Sequence, residues 1–253
     1  MTVEIKKVST PSELKRFIRF NYEFYKNNPY SVPDLYDDML NTFSPEKNAA
    51  FDFCETDYFL AYKDGKMVGR VAAIINHHAN KQWNKQTVRF GWIDFIDDPE
   101  VSRALIDAVK AWGKERGMTT IEGPLGFTDL DAEGMLIEGF DQLSTMATIY
   151  NYPYYPKHIE ALGLEPSADW VEMKVYFPKE IPEKHKRISD IISRKYNLHT
   201  RKLTDKKEIL RSGVAHDIFR LINDAYEPLF NFSRMTEKQI DQYVNMYLPV
   251  LDL

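Results

Sequence analysis

The stretch 58–75 limits the fold more than any other part of the sequence. Two runs rich in aromatic and β-branched residues, 58–62 and 67–75, flank the pair Asp64-Gly65. A two-residue hairpin turn needs positive φ, which glycine adopts without a steric penalty. The pattern therefore predicts two antiparallel strands joined by a tight turn, and hence a fold that contains a sheet.

Helices and strands are predicted on both sides of this hairpin. Gly91 interrupts one of the strands and indicates a bulge or a close backbone approach. Pro99 and Gly117 bracket an amphipathic helix, because proline suits a helix start and glycine a helix end. The other predicted elements are strands at 3–8, 88–96, 170–177 and from Thr119, and helices from about 11, at 33–40 and at 156–162.

After a linker bounded by Pro178 and Pro182, the order of elements begins again. A helix to about Tyr196, a strand at 198–203 and a helix capped by Thr204-Asp205 repeat the layout of the first residues. This weak internal repeat divides the chain into a domain at 1–177 and an incomplete second unit at 178–253. The second unit ends before any counterpart of the Tyr58 hairpin.

Composition and charge exclude several classes of protein. The 253 residues include 33 basic and 38 acidic side chains, a net charge of −5, so neither nucleic acid nor an anionic membrane is an expected partner. No apolar run reaches the roughly 18 residues of a membrane span. The single cysteine, Cys54, is expected to be a buried, reduced thiol, which favours a cytoplasmic location. Aromatic residues make up 13% of the chain, enough to line a pocket as well as a core.

Three segments resemble the GNAT (acyl-CoA N-acyltransferase) superfamily. They are YFLAYKDGKMVGRVAAI, FIDDPEVSRALIDAVKAWGKERGM and YYPKHIEALGLEP. The segment EGPLGFTDLDAEGMLIEGF is similar to a bacterial branch with two GNAT-like repeats per chain. The resemblance implies an α/β (α+β) fold, a GNAT-type mixed, splayed sheet flanked by helices, plus a partial second repeat. Members of that branch are longer, so the second repeat is expected to be truncated here.

The resemblance also implies acyl transfer from acetyl-CoA or another acyl-CoA to an amine. The superfamily holds the cofactor's pyrophosphate on a Gln/Arg-x-x-Gly-x-Gly/Ala loop at a helix N-terminus, and residues 97–102 occupy that position. Glu100 and Ser102 replace both glycines. The matched cofactor-binding residues would be Ile96, Asp97, Val101, Ser102 and Asn151. The carboxylates of Asp97, Asp98 and Glu100 would repel phosphate, so weak or absent binding is expected.

Candidate catalytic residues follow from the same resemblance. The acyl carbonyl would be bound by the backbone along 92–96, with Asp94 as general base for the amine and Glu122 as second choice. The tyrosine that protonates the leaving thiolate is replaced by Ile159, and Tyr155 or Tyr154, one turn earlier, would substitute. The acceptor would be a small-molecule amine or a protein, and a homodimer is a candidate assembly.

The sequence contains no convincing metal site. Residues 129–134 match the opening of a calcium loop, but Phe140 stands where the bidentate glutamate belongs, so no metal is expected. Two hypotheses remain open. One is an N-acyltransferase, and the other is a non-catalytic GNAT-like module that binds a small ligand or a protein.

Overall fold

The computed structural model describes residues 2–145 and 148–252. Its strands are β1 (Glu4–Lys7), β2 (Cys54–Lys63), β3 (Lys66–Asn76), β4 (Thr87–Phe95) and β5 (Thr120–Glu122). Its α-helices are α1 (Pro11–Tyr25), α2 (Tyr36–Thr42), α3 (His77–Gln82), α4 (Pro99–Glu115), α5 (Tyr154–Ala161), α6 (Glu183–Tyr196), α7 (Lys206–Ser212), α8 (Val214–Tyr226) and α9 (Glu237–Tyr247). Short 3₁₀ turns lie at Ala49–Asp52 and Leu248–Val250.

The strands form one mixed sheet in the order β1-β2-β3-β4-β5. The pairs β1–β2, β2–β3 and β3–β4 are antiparallel, and the pair β4–β5 is parallel. The hairpin turn between β2 and β3 is confirmed, with φ of 53° at Asp64 and 74° at Gly65. This is the mixed sheet that the resemblance implies.

Helices cover both faces of the sheet, because successive strand residues point to opposite sides. Phe59 and Ala61 of β2 pack with the apolar stripe of α4, whereas Tyr58 and Leu60 pack with α1. Both faces are therefore core, and the strands carry long apolar runs.

The expected irregularity at Gly91 is confirmed. The pairing of β3 with β4 shifts register at this level, and Trp92 has a φ of 43°. The backbone carbonyl of Leu125 lies against Gly91, where a Cβ would collide with it. Regular pairing of β5 with β4 ends at Arg89 and Glu122, and the Leu125 N–H then donates to the Phe90 carbonyl at 2.9 Å.

Two predicted strands are wrong. Residues 170–177 and 198–203 have no regular secondary structure. Alternation of apolar and polar residues makes a segment suitable for a strand, but a strand also needs a hydrogen-bonding partner, and the described residues supply none. The predicted repeat thus keeps its helix cap, Asp205, which accepts from the backbone N–H groups of Lys207 and Glu208, and loses its strand.

Helices α7, α8 and α9 form a small core of their own, built around Ile209, Ile240 and Val244. Trp83 Nε1 and Gln82 Nε2 donate to the carbonyl of Phe232 and join this cluster to the first unit. The division at 177/178 stays a prediction.

Replacing Gly91 with alanine is expected to destabilise the protein by about 3 kcal/mol, because the new methyl group meets a backbone carbonyl that cannot rotate away. The control is Gly65→Ala, where space is open and only the positive φ is penalised, by about 1 kcal/mol. Urea unfolding of both variants measures the difference. Equal losses would contradict the close approach of Leu125.

Candidate functional site

The bulged strand β4 carries one member of a buried ion pair, Asp94, near its C-terminal end. Asp94 is 5% exposed and Arg70, its partner on β3, is 4% exposed. Arg70 Nε donates to Asp94 Oδ2 across 2.8 Å. Burying two charges is tolerated only when their remaining donors and acceptors are satisfied.

Further donors and acceptors complete this pair. Arg70 Nη1 donates to the carbonyl of Phe17 at 2.9 Å, and Asn21 Nδ2 donates to Asp94 Oδ2 at 3.1 Å. The Tyr155 hydroxyl donates to Asp94 Oδ1 at 3.2 Å. Asp94 therefore accepts three hydrogen bonds, from α1, β3 and α5.

Tyr155 is the second centre of this network. Its hydroxyl accepts from the Tyr25 hydroxyl at 2.9 Å and from the backbone N–H of Phe95 at 3.1 Å. Burial, together with the Asp94 charge, raises the pKa of Tyr155 and of Tyr25 well above the usual value. Both phenols are neutral donors at physiological pH. Asp94 and Tyr155, both named as catalytic candidates from the sequence, are therefore in direct contact. Their catalytic roles stay predictions.

Within the stretch expected to polarise an acyl carbonyl, Phe95 is already occupied. Its N–H bonds Tyr155, and its carbonyl accepts from the Tyr154 hydroxyl at 2.6 Å. Side chains from α5 thus hold the edge of β4 after the bulge.

The N-terminus of α4 is capped by its own residues. The Asp98 carboxylate accepts from the N–H of Glu100 at 2.9 Å, and the Asp98 carbonyl accepts from Val101 and Ser102. Lys63 Nζ lies 2.6 Å from Asp98 Oδ2 and 2.8 Å from Glu100 Oε2. Hydrogen bonds from Lys63 lower the pKa of Asp98. The amide groups that would receive a phosphate therefore have partners within the chain.

The other matched cofactor-binding residues at this end are also engaged. His158 bridges Asp97 Oδ1, at 3.0 Å from Nε2, and Ser102 Oγ, at 2.9 Å from Nδ1. Val101 is fully buried and Ile96 packs against the same core. These residues contact one another and the core, and their predicted role in binding a cofactor stays a prediction.

Asn151 and Glu122 lie farther along the sheet. Asn151 is buried and clamps a loop, accepting from the N–H of Leu136 at 2.7 Å and donating to its carbonyl at 3.1 Å. Glu122 forms an ion pair of 2.8 Å with Lys85, which also donates to Asn231 Oδ1. Both contacts are sufficient to explain these residues structurally, and their predicted roles are untested.

A cleft of about 2460 Å³ opens beside β5. It runs between the edge of this strand, the loop 123–139, the end of α5 and the segment 163–174. Much of the wall is apolar and includes Ile121, Leu125, Met135, Leu136, Ile149 and Trp170. A cleft this large accommodates an extended organic ligand.

Among the carboxyl groups that line the cleft, that of Glu133 is distinguished by its burial. Within residues 2–145 and 148–252 it has no hydrogen-bond or ion-pair partner. Burial, with a smaller contribution from Asp129, raises the pKa of Glu133 to about 7. The group can therefore accept or release a proton near neutral pH.

Sequence reasoning missed Arg70, Lys63 and Glu133. An arginine within the apolar run 67–75 is the signal that could have revealed the ion pair, because a buried guanidinium demands a carboxylate. No periodic pattern in the sequence predicts that Glu133 is buried, because its burial depends on how the loop 123–139 folds over the sheet.

Two structural searches of the described residues gave negative results. No helix there is long and apolar enough to cross a bilayer. No group of three or more potential metal ligands is found in the same part of the chain.

Comparison with curated proteins finds two bacterial relatives, and no protein-family model matches the chain. Protein YghO of Escherichia coli is 36% identical over 158 residues, which cover 62% of this chain and 40% of that protein. The bacterial ceramide synthase of Caulobacter vibrioides is 27% identical over 247 residues, which cover 97% of this chain and 63% of the synthase. The chain thus matches less than two thirds of the length of either relative.

Solved structures that resemble this chain include one described as a tandem GNAT protein and others described as aminoglycoside acetyltransferases. A tandem GNAT protein from the clavulanic acid biosynthesis pathway has a TM-score of 0.43 and 14% identity, covering 64% of this chain and 43% of that one. The aminoglycoside acetyltransferase AAC(6')-Iy has a TM-score of 0.41 and 17% identity, covering 72% of this chain and all of that one. These similarities are weak, and the fold description rests on the strand order and the bulge of β4.

Removing one partner of the buried ion pair is expected to cost about 3–5 kcal/mol, because the other charge is left unpaired in the core. Arg70→Met and Asp94→Asn should each show this loss in urea unfolding, and the double variant should lose less than the two singles added. Asn21→Ala, which removes one neutral donor to the same carboxylate, is the control and should cost about 1 kcal/mol. Additive losses would show that the pair is not coupled.

Proposed function

We propose that this chain takes part in transferring an acyl group to the nitrogen of an amine that carries a long apolar tail. The match to a bacterial ceramide synthase over 97% of the chain supports the reaction class. A ceramide is a long-chain amino alcohol acylated on nitrogen, so an enzyme of that name forms an amide bond. The proposal extends the acyl transfer expected from the sequence by naming the kind of acceptor.

The observation that carries this proposal is the position of Glu133 in an apolar cleft. A carboxyl group on a cleft wall that also includes Leu125, Met135 and Ile149 suits a ligand with one cationic end and a hydrocarbon chain. The ammonium group would pair with the carboxylate, while the hydrocarbon chain is removed from water, at about 0.8 kcal/mol per buried methylene group.

The chemistry requires a base, because an amine enters as an ammonium ion and attacks only after losing a proton. Glu133, with a pKa of about 7, is ionised often enough to accept that proton at neutral pH. The amine nitrogen then forms a bond to the carbonyl carbon of an activated acyl group, and the bond to the leaving group breaks. The nitrogen gives up its second proton as the amide forms, and the leaving group takes up that proton. Asp94, the base expected from the sequence, is the rival for this role.

We expect acyl-CoA to bind weakly or not at all at the usual pyrophosphate position of this chain. The N–H groups at the start of α4 already have acceptors, and Asp97, Asp98 and Glu100 place three carboxylates there. We therefore assign no step to CoA phosphates held at 97–102.

The same observation favours a second candidate function, a non-catalytic module that binds an amphiphilic amine in the cleft. Such a module needs Glu133 and the apolar walls but no acyl donor. Turnover separates the two functions, because only the enzyme forms the amide.

CoA, which has the pyrophosphate and no acyl chain, is expected to leave the melting temperature unchanged at millimolar concentration. A ligand at 100 times its Kd would stabilise the fold by about 2.7 kcal/mol, which a thermal scan detects readily. The variant Glu100→Gly with Ser102→Gly restores both glycines and should increase CoA affinity. A CoA-dependent rise in the melting temperature of the unaltered chain would contradict the prediction.

Amide formation should depend on the ionisation of Glu133. With a long-chain primary amine and a fatty acyl thioester of N-acetylcysteamine, which lacks phosphate, kcat/KM should rise with pH to a plateau above about 7. Glu133→Gln should lose roughly a hundredfold or more in rate, together with this rise, because no carboxylate remains to accept the proton.

Glu138→Gln is the matched control, since Glu138 is an exposed carboxylate on the same loop and the same cleft. It should retain both rate and pH profile. Loss of the pH rise in Asp94→Asn, with its retention in Glu133→Gln, would assign the base to Asp94. Binding of the amine without any product would favour the non-catalytic module.

A further inference from the structure

Residues 170–177 expose an unusual run of large apolar side chains. Their exposed fractions range from 65% to 90%, and the residues are Trp170, Val171, Met173, Val175, Tyr176 and Phe177. Isolated apolar residues on a surface are ordinary, but an extended run of this kind marks an interaction site.

Helix α6 follows this run in the chain and is also exposed. None of its residues is buried. Ile188, Ile191, Ile192 and Tyr196 recur at helical spacing, form one stripe, and are 41% to 60% exposed. A helix of 14 residues is marginal in water without packing. We therefore expect another surface to cover the apolar stripe of α6.

Charge identifies the kind of surface. Residues 170–196 carry seven Lys and Arg and four Asp and Glu side chains, a net charge of +3 in a chain whose total is −5. Within the described part of the chain, Lys184, Arg187, Arg194 and Lys195 have no carboxylate within ion-pair distance. Basic groups beside an apolar stripe are typical of helices that lie in the interface of anionic membranes.

We propose that residues 170–196 dock on an anionic lipid surface. The isoleucines of α6 would enter the boundary between headgroups and acyl chains, and the basic side chains would contact lipid phosphates. Trp170 and Tyr176 are residue types enriched at that depth. A second copy of the chain is a poorer occupant, because it would bring another surface of charge +3 into contact with the first. The net charge of −5, from which no membrane partner was expected, does not reveal this local basic excess.

The proposal does not depend on acyl transfer, since its readout is vesicle binding alone. The full chain is floated with vesicles of phosphatidylcholine, with and without phosphatidylglycerol. We expect binding to the anionic vesicles that is at least tenfold stronger than to the neutral ones and that weakens with salt.

Two double variants test the two contributions. Ile191→Asp with Ile192→Asp should abolish binding, and Lys184→Gln with Arg187→Gln should weaken it roughly tenfold or more on anionic vesicles. Leu221→Asp is the control, because Leu221 is 67% exposed on α8, outside this surface. It should bind as the unaltered chain does. Melting temperatures of all variants establish that they are folded.

Three outcomes would overturn the proposal. The first is absence of binding to anionic vesicles. The second is equal binding to neutral and anionic vesicles that the basic residues do not affect. The third is self-association, seen by sedimentation and lost in Ile191→Asp with Ile192→Asp, in a chain that ignores vesicles. That last result would make this surface an interface between copies of the chain.

Discussion

The ion pair between Arg70 and Asp94 is the constraint on which the rest of the first unit depends. Two charges in the middle of a sheet are stable only if every donor and acceptor is used, which fixes the position of α1 through the Phe17 carbonyl and of α5 through Tyr155. The bulge at Trp92 aims Asp94 toward these partners. A regular β4 would change which face each following residue takes.

Much of the first unit could be predicted from local signals. Asp64-Gly65 dictates its turn, and Thr10 and Asp98 cap their helices through side-chain oxygens, as their positions indicate. The predicted strands at 170–177 and 198–203 failed for a physical reason. Alternation of apolar and polar residues is a property of a single segment, whereas a strand forms only when a second segment pairs with it. The resemblance named Asp94 and Tyr155 as catalytic candidates without revealing that both are buried, because burial is a property of the assembled layers.

The loop 123–139 links the cleft to the second unit. Asp129 Oδ2 accepts from both the N–H and the hydroxyl of Ser233, and the Thr128 hydroxyl lies 3.1 Å from the Tyr243 hydroxyl. Arg89, buried beneath the loop, donates to the carbonyls of Gly126 and Phe127. The acidic residues that resemble a calcium loop therefore hold the chain together. Glu133 alone of this group is left facing the cleft without a partner in the described residues.

The acidic N-terminus of α4 and the apolar cleft are compatible with the same acyl donor if the acyl chain supplies most of the donor's binding free energy. One like-charge pair at 4 Å near a surface costs on the order of 4 kcal/mol, more than a helix N-terminus returns. Burial of about five methylene groups offsets that amount at roughly 0.8 kcal/mol each. A fatty acyl donor has methylene groups in excess, whereas an acetyl donor has none. Under the proposed function, the acidic residues at 97–102 would therefore disfavour donors with short acyl groups more than donors with long ones.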